Sequence, residues 1–107
     1  MPRKAGFALI FAPETLGHLA VIEAKYHRVI RETIDQQLLF TPEQSTRNRK
    51  LLEQPAPFDA TWELRFGPRN RFRVFYEVDR DQRKVWLLAV GVKVGNQLFV
   101  GTEEIKI

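Results

Sequence analysis

The segment from residue 62 to residue 93 constrains the fold most, and it reads WELRFGPRNRFRVFYEVDRDQRKVWLLAVGVK. Apolar and polar residues alternate on either side of a short stretch that contains glycine, proline and asparagine. Alternation with a period of two is typical of strands that bury one face, and the glycine, proline and asparagine are typical of a turn. The segment therefore predicts three consecutive antiparallel strands.

The hydrophobic pattern also selects the register of the first hairpin. If residues 67–71 form the turn, the apolar side chains of both strands share one face. The same register sets Arg65 directly opposite Arg73 on the other, open face, with Glu63 opposite Phe75 beside them. Like charges placed opposite each other destabilise a sheet, so this arrangement predicts a surface that binds an anion.

The first half of the chain predicts one strand and two helices. Residues 6–11 are apolar and indicate a short buried strand. Apolar residues then recur every three to four positions over residues 14–37, which is typical of an amphipathic helix. The Thr-Pro-Glu sequence that begins at residue 41 predicts the start of a second helix, which ends near residue 53.

The last third of the chain continues the sheet. Residues 85–92 are nearly all apolar, as expected of an interior strand covered on both sides. Residues 98–100 and 104–107 indicate short terminal strands. Together these elements predict an α+β fold, a small antiparallel-rich sheet of four to five strands with two N-terminal helices packed on one face, in a single domain over residues 1–107.

Composition narrows the classes of function. The chain of 107 residues has a net charge of +4, which favours contact with phosphates or with an acidic protein. It has no cysteine, which excludes disulfides and thiolate metal sites and fits a cytoplasmic protein. His18 and His27 have no clustered carboxylates beside them, so we expect surface histidines, no metal and no cofactor. The apolar run at residues 6–12 is too short to span a membrane.

Two stretches, WELRFGPRNRFRVFYEVD and VWLLAVGVKVGNQLF, resemble the RelE/ParE superfamily of toxins from type II toxin–antitoxin systems. They are similar to the family's K/R-L-R … Y-R-V/L-x-Y hairpin and to its following V-x-V-G-K-R strand. The resemblance implies a RelE/HigB-like toxin that enters the ribosome and cuts mRNA. It also implies a cognate antitoxin as partner, with the toxin–antitoxin complex bound to operator DNA.

The resemblance also implies roles for individual residues. Arg65, Arg73 and Lys93 are the predicted catalytic cations, which hold the scissile phosphate while a ribose 2′-hydroxyl attacks it. Further candidates for RNA binding come from the turn, from two aromatic positions and from the basic run of the second predicted helix: Arg69, Arg71, Phe75, Phe99, Arg47, Arg49 and Lys50. Active members of the family often end with Tyr or His beside the site. Here Phe99 is nearest and cannot donate a proton, so the general acid is unassigned.

Two other functions stay open at this point. A ParE-like inhibitor of DNA gyrase binds a protein without catalysis and has no need of the three cations. A catalytically inactive module, whose complex with an antitoxin binds operator DNA, is compatible with the missing Tyr or His. The opposed arginines also have a simpler interpretation, as a solvated sheet face paired with Glu63 and Glu77.

Overall fold

Seven strands and two α-helices follow one another along residues 5–106, the part of the chain that the computed structural model describes. In chain order they are β1 (Ala8–Phe11), α1 (Glu14–Ala20), α2 (His27–Leu38), β2 (Arg49–Leu51), β3 (Trp62–Phe66), β4 (Phe72–Asp79), β5 (Lys84–Val94), β6 (Gln97–Val100) and β7 (Glu103–Ile105). Over these residues, neither helix has the length and apolar character needed to cross a membrane.

All seven strands belong to one sheet. Six of them run in the order β2-β3-β4-β5-β6-β7, and each neighbouring pair is antiparallel. β1 lies parallel to the first half of β5, while β6 pairs with the second half of the same edge. The α+β class is confirmed. The prediction of four to five strands is wrong, because a segment predicted as helix supplies β2 and both terminal strands are present.

The β3–β4 hairpin has the predicted register, with Arg65 opposite Arg73 and Glu63 opposite Phe75. The apolar pairs on the other face are Phe66 with Phe72, Leu64 with Val74, and Trp62 with Tyr76. The turn contains Gly67 at φ +81° and Asn70 at φ +53°. Glycine and asparagine are the residues that tolerate this left-handed conformation best, so the turn chemistry and the hydrophobic pattern select the same pairing.

The helix predicted over residues 14–37 is broken between α1 and α2. The side chain of His27 bridges the break, since its Nε2 lies 2.8 Å from the carbonyl oxygens of both Leu19 and Ile22. In a continuous helix those carbonyls accept bonds from the N–H groups four residues later. Here the N–H of Ile22 donates to Leu19, and one Nε2–H of His27 is shared between the two carbonyls. The imidazole thus ties the start of α2 to the end of α1.

The prediction of a second helix from residue 41 to about residue 53 is wrong. The segment is irregular and then forms β2. Arg49 is 7% exposed, and its guanidinium donates to the carbonyl oxygens of Gln37, at 2.9 Å, and Thr41. Gln37 lies in the last turn of α2, where the helix dipole favours a positive charge. The segment is therefore organised by a buried cation at the end of α2.

Apolar side chains are buried on both faces of the sheet. The larger core lies beneath the helices and includes Ile30 and Ile34 of α2. The second core, on the opposite face, consists of Ala60, Phe75, Ala89, Leu98 and Val100. Phe58 covers this second core, with its ring 5.5 Å from that of Phe75. The prediction that this face is open is wrong at its centre, because the connection between β2 and β3 packs across it.

α1 fills a gap along one edge of β5. Pairing with β1 ends at Leu87 and pairing with β6 begins at Gly91, so the N–H of Val90 lies between the two strands. That N–H donates to Nδ1 of His18 over 3.3 Å. Burial lowers the pKa of His18, and the charge of Glu14 opposes this effect. The bond to Val90 needs an unprotonated Nδ1, so the neutral imidazole fits this position.

Candidate nucleic-acid interface

The two opposed arginines of the hairpin share one carboxylate. Nε of Arg65 lies 2.7 Å from Oε1 of Glu63, and Nη1 of Arg73 lies 3.4 Å from Oε2 of the same residue. Nε of Arg73 also donates to the carbonyl oxygen of Asn70 over 2.9 Å. The repulsion inherent in the register is therefore compensated inside the protein, and the cluster keeps a single net positive charge.

Burial separates the roles of these two arginines. Arg73 is 5% exposed and Glu63 is 4% exposed. Burial lowers the pKa of Arg73, Glu63 opposes this effect, and Arg65 adds to it. The side chain of Arg65 is 34% exposed, so it is the member of the cluster that a ligand reaches. Arg73 is placed to hold Glu63, which in turn holds Arg65.

Lys93 belongs to the same face of the sheet but to a different surface. Gly91 pairs with Arg73, and Lys93 lies two residues further along β5, so all three predicted catalytic cations share one face. Lys93 borders a recess of about 460 Å³ at the end of the sheet, formed with Pro68, Arg69, Arg71, Val94 and Gly95. We call this the basic recess. Three of its lining residues are cationic, and no Asp or Glu among residues 5–106 borders it.

Arg71 is held in a fixed orientation at the wall of the basic recess. Its guanidinium carbon lies 5.2 Å from the ring centroids of both Tyr26 and Phe72. Its carbonyl oxygen accepts from the N–H of Lys93 over 2.7 Å, which fixes the turn against β5. None of the ion pairs found among residues 5–106 involves Arg71. A guanidinium stacked on a ring keeps its N–H donors in its own plane, where an anion can receive them.

Arg69 contributes the third cation and an unusual backbone conformation. Its φ is +55°, and that of the next residue, Asn70, is +53°. A left-handed conformation costs a side chain other than glycine about 1 kcal/mol or more. Such conformations concentrate at functional sites, and here the turn carries exposed Arg69 to the mouth of the basic recess.

No protein-family model, curated protein or solved structure matches this chain.

The remaining RNA-binding candidates are dispersed. Arg47 and Lys50 are exposed on the segment before and within β2, away from the residues that line the basic recess. Arg49 is buried as the cation at the end of α2. Phe75 is 1% exposed beneath Phe58, so its ring offers no face to a base in this conformation.

Phe99, by contrast, lines a second concave surface. A groove of about 270 Å³ lies on the helix side of the sheet, next to the basic recess. Its lining comprises His18, Val21, Ile22, Glu23, Tyr26, Arg71, Phe72, Val90, Val92, Val94, Phe99 and Gly101. We call this the β5–β6 groove. Arg71 and Val94 border both the groove and the basic recess.

Sequence reasoning did not identify Tyr26 as a member of the site. Its spacing within residues 14–37 indicates a core-facing helix position, and it does pack on Phe72, with ring centroids 5.3 Å apart. Only the break between α1 and α2 turns it toward the end of the sheet, where it meets Arg71. The sequence does show an aromatic residue in the predicted helix and an arginine-rich turn. Periodicity alone does not indicate that these two segments are in contact.

The two histidines are not the surface residues that the sequence predicts. Both are half-buried and hydrogen-bonded to backbone groups, His18 to Val90 and His27 to Leu19 and Ile22. Each completes the backbone bonding of an irregular edge or turn. Over residues 5–106, no three His, Cys, Asp or Glu side chains lie together in a way that could hold a metal ion.

Proposed function

We propose that this chain is a RelE/HigB-like toxin that cleaves mRNA on the ribosome and that a cognate antitoxin neutralises it. The observation that carries the proposal is the basic recess. Arg69, Arg71 and Lys93 surround one concavity, and no Asp or Glu in the described part of the chain lines it. Three cations in one concavity favour a phosphate as ligand, and the resemblance in the hairpin supports RNA as its source.

The proposed chemistry places the scissile phosphate between Lys93 and Arg71. The 2′-hydroxyl attacks the adjacent phosphorus and loses its proton to solvent, the bond from phosphorus to the 5′-oxygen breaks, and the 5′-oxygen takes a proton from solvent. The products are a 2′,3′-cyclic phosphate and a 5′-hydroxyl. Negative charge builds up on the phosphate oxygens during the attack, and fixed cations stabilise that charge. Because Arg71 is oriented by Tyr26 and Phe72 before any ligand binds, it loses little freedom on binding. Arg65 supplies a further cation on the same sheet face, oriented by Glu63.

A second surface supports a protein partner. A groove of about 390 Å³ lies where α1, α2 and β1 meet, and its apolar lining includes Leu16, which is 73% exposed. Arg28 and Arg31 also line this groove. An antitoxin segment with apolar and acidic residues is complementary to such a surface. We place the protein in the cytoplasm, where ribosomes and mRNA are found, with the toxin–antitoxin complex bound to operator DNA.

The test of the basic recess is the binding of a short single-stranded RNA, measured by fluorescence anisotropy. We expect Arg71→Ala/Lys93→Ala to weaken binding by about tenfold or more and to reduce the salt slope by ~0.7, since the neutralisation of one phosphate is lost. The matched control is Arg28→Ala/Arg80→Ala, which removes two exposed positive charges that lie outside the recess. Equal loss in both double variants would mean that general charge, and not the basic recess, binds RNA.

A further inference from the structure

We propose that the β5–β6 groove binds the nucleobase of the nucleotide whose phosphate lies in the basic recess. This inference rests on the proposed function, because it takes the basic recess as the phosphate site. It assigns a second, mostly apolar subsite to the protein and names its ligand class as the base of single-stranded RNA.

The two concavities are adjacent. Arg71 and Val94 line both of them, so a ligand that bridges them passes over these two side chains. A nucleotide has two chemically different ends, a charged phosphate and a flat, largely apolar base. The two concavities differ in the same way, since the basic recess is cationic and most residues that line the groove are apolar.

The walls of the groove are largely apolar. Val92 and Phe99 are directly opposite on β5 and β6, so both side chains project to the helix side of the sheet. Val21 and Val94 remain 53% and 57% exposed on either side of the groove. Exposed apolar side chains beside a concave surface are typical of a site that a ligand covers.

Two partly exposed aromatic side chains, Tyr26 and Phe99, line the groove that Arg71 borders. Phe72 lies buried beneath them, at 1% exposure, and supports Tyr26. Aromatic rings next to a cationic track are the usual means by which proteins hold single-stranded RNA without reading its sequence. The guanidinium of Arg71 lies over Tyr26 and Phe72 and marks the boundary between base and phosphate.

The test compares adenosine 5′-monophosphate with ribose 5-phosphate on the full chain by NMR titration. Both probes carry the same phosphate and sugar, and only the first carries a base. We expect adenosine 5′-monophosphate to bind about 5- to 100-fold more tightly, as base stacking on an aromatic side chain allows. The backbone amides of Val92 and Phe99 should shift with the nucleotide and remain unchanged with ribose 5-phosphate.

Two variants assign the difference to the groove. Phe99→Ala should bring the two affinities together while the affinity for ribose 5-phosphate stays the same. Val21→Trp, at an exposed position, should fill the groove and have the same effect without opening the core. Lys93→Ala should weaken both probes by the same factor, because it acts on the shared phosphate.

Equal affinity of the two probes for the wild-type protein would overturn the base subsite and leave the phosphate site of the proposed function standing. Failure of both probes to bind would overturn the phosphate site itself, and the inference with it. A tighter nucleotide that Val21→Trp does not weaken would place the base elsewhere and would also overturn the inference.

Discussion

Arg65 lies directly opposite Arg73 in the β3–β4 hairpin, and both guanidinium groups donate to the carboxylate of Glu63. A register that repels by itself is thus stabilised by an anion on the next position of the same face. The sequence pattern predicted that the pair binds an anion as ligand. The anion present in this fold is the protein's own side chain, and the unneutralised cations lie further along the sheet in the basic recess.

Replacing Glu63 tests this relationship. Glu63→Gln should lower the free energy of unfolding by about 3 kcal/mol, because a buried Arg73 is left without its counter-ion. Urea unfolding monitored by tryptophan fluorescence provides the measurement. Glu32→Gln removes a carboxylate from an exposed pair with Arg28 and should cost less than about 0.5 kcal/mol. Similar losses in the two variants would show that the shared carboxylate is not a structural requirement.

We expect Arg49 to stabilise the fold and not to bind RNA. Arg49→Ala should lower the free energy of unfolding by about 2–3 kcal/mol, since charge-assisted bonds to Gln37 and Thr41 at the end of α2 are lost. Lys50→Ala, at the neighbouring exposed position, is the matched control and should change stability by less than about 0.5 kcal/mol. If Arg49→Ala instead left stability unchanged and weakened RNA binding, the original assignment of Arg49 to RNA would be restored.

The sequence predicts the structure of a segment well where its hydrophobic residues recur with a regular period. The hairpin could be predicted to the residue, because alternation and a Gly-Pro-x-Asn turn select one register. The break between α1 and α2 could not be predicted. At the break, the His27 side chain bonds to backbone carbonyl oxygens, which in a helix usually accept from backbone N–H groups. The strand β2 was missed for a similar reason, since Arg49 acts through tertiary contacts.

The candidate site was predictable in part. Arg69, Arg71 and Lys93 were all identified from the sequence, and the structure brings them to one recess. The burial of Arg73 against Glu63 and the covering of Phe75 by the connection between β2 and β3 were not predictable. That connection has no hydrophobic period, so nothing in its pattern indicates that Phe58 packs on Phe75.

His18 should make stability depend on pH. Its pKa in the folded protein is lowered from 6.5 by burial. Below about pH 6.5 the unfolded chain therefore binds a proton that the folded protein does not, and the free energy of unfolding falls as pH falls until the folded pKa is passed. Above pH 7 the residue contributes no slope. Urea unfolding between pH 7.5 and 5.5 measures this effect.

The control for that pH dependence is His18→Gln, whose amide oxygen can accept from the N–H of Val90 but does not titrate in this range. It should remove most of the slope between pH 7.5 and 5.5. An unchanged slope in His18→Gln would assign the pH dependence to other groups.

Leu16 tests the partner surface separately from the RNA surface. Leu16→Glu places a charge in the groove between α1 and α2, which repels an acidic antitoxin segment and removes an apolar contact. Because Leu16 is 73% exposed, folding and RNA cleavage should be unchanged while antitoxin affinity falls by about 100-fold. Calorimetric titration with the antitoxin measures this effect, and Lys50→Ala is the control. Full affinity in Leu16→Glu would move the antitoxin to another surface.

The central claim, a ribosome-dependent endoribonuclease with its phosphate site in the basic recess, is tested most directly by mapping mRNA 5′ ends in bacteria after a short induced pulse. The wild type should produce new cuts within translated codons. Arg71→Ala/Lys93→Ala should lose them, and Arg28→Ala/Arg80→Ala should keep them. Growth arrest by the wild type without such cuts would contradict the account and would favour a protein target such as DNA gyrase.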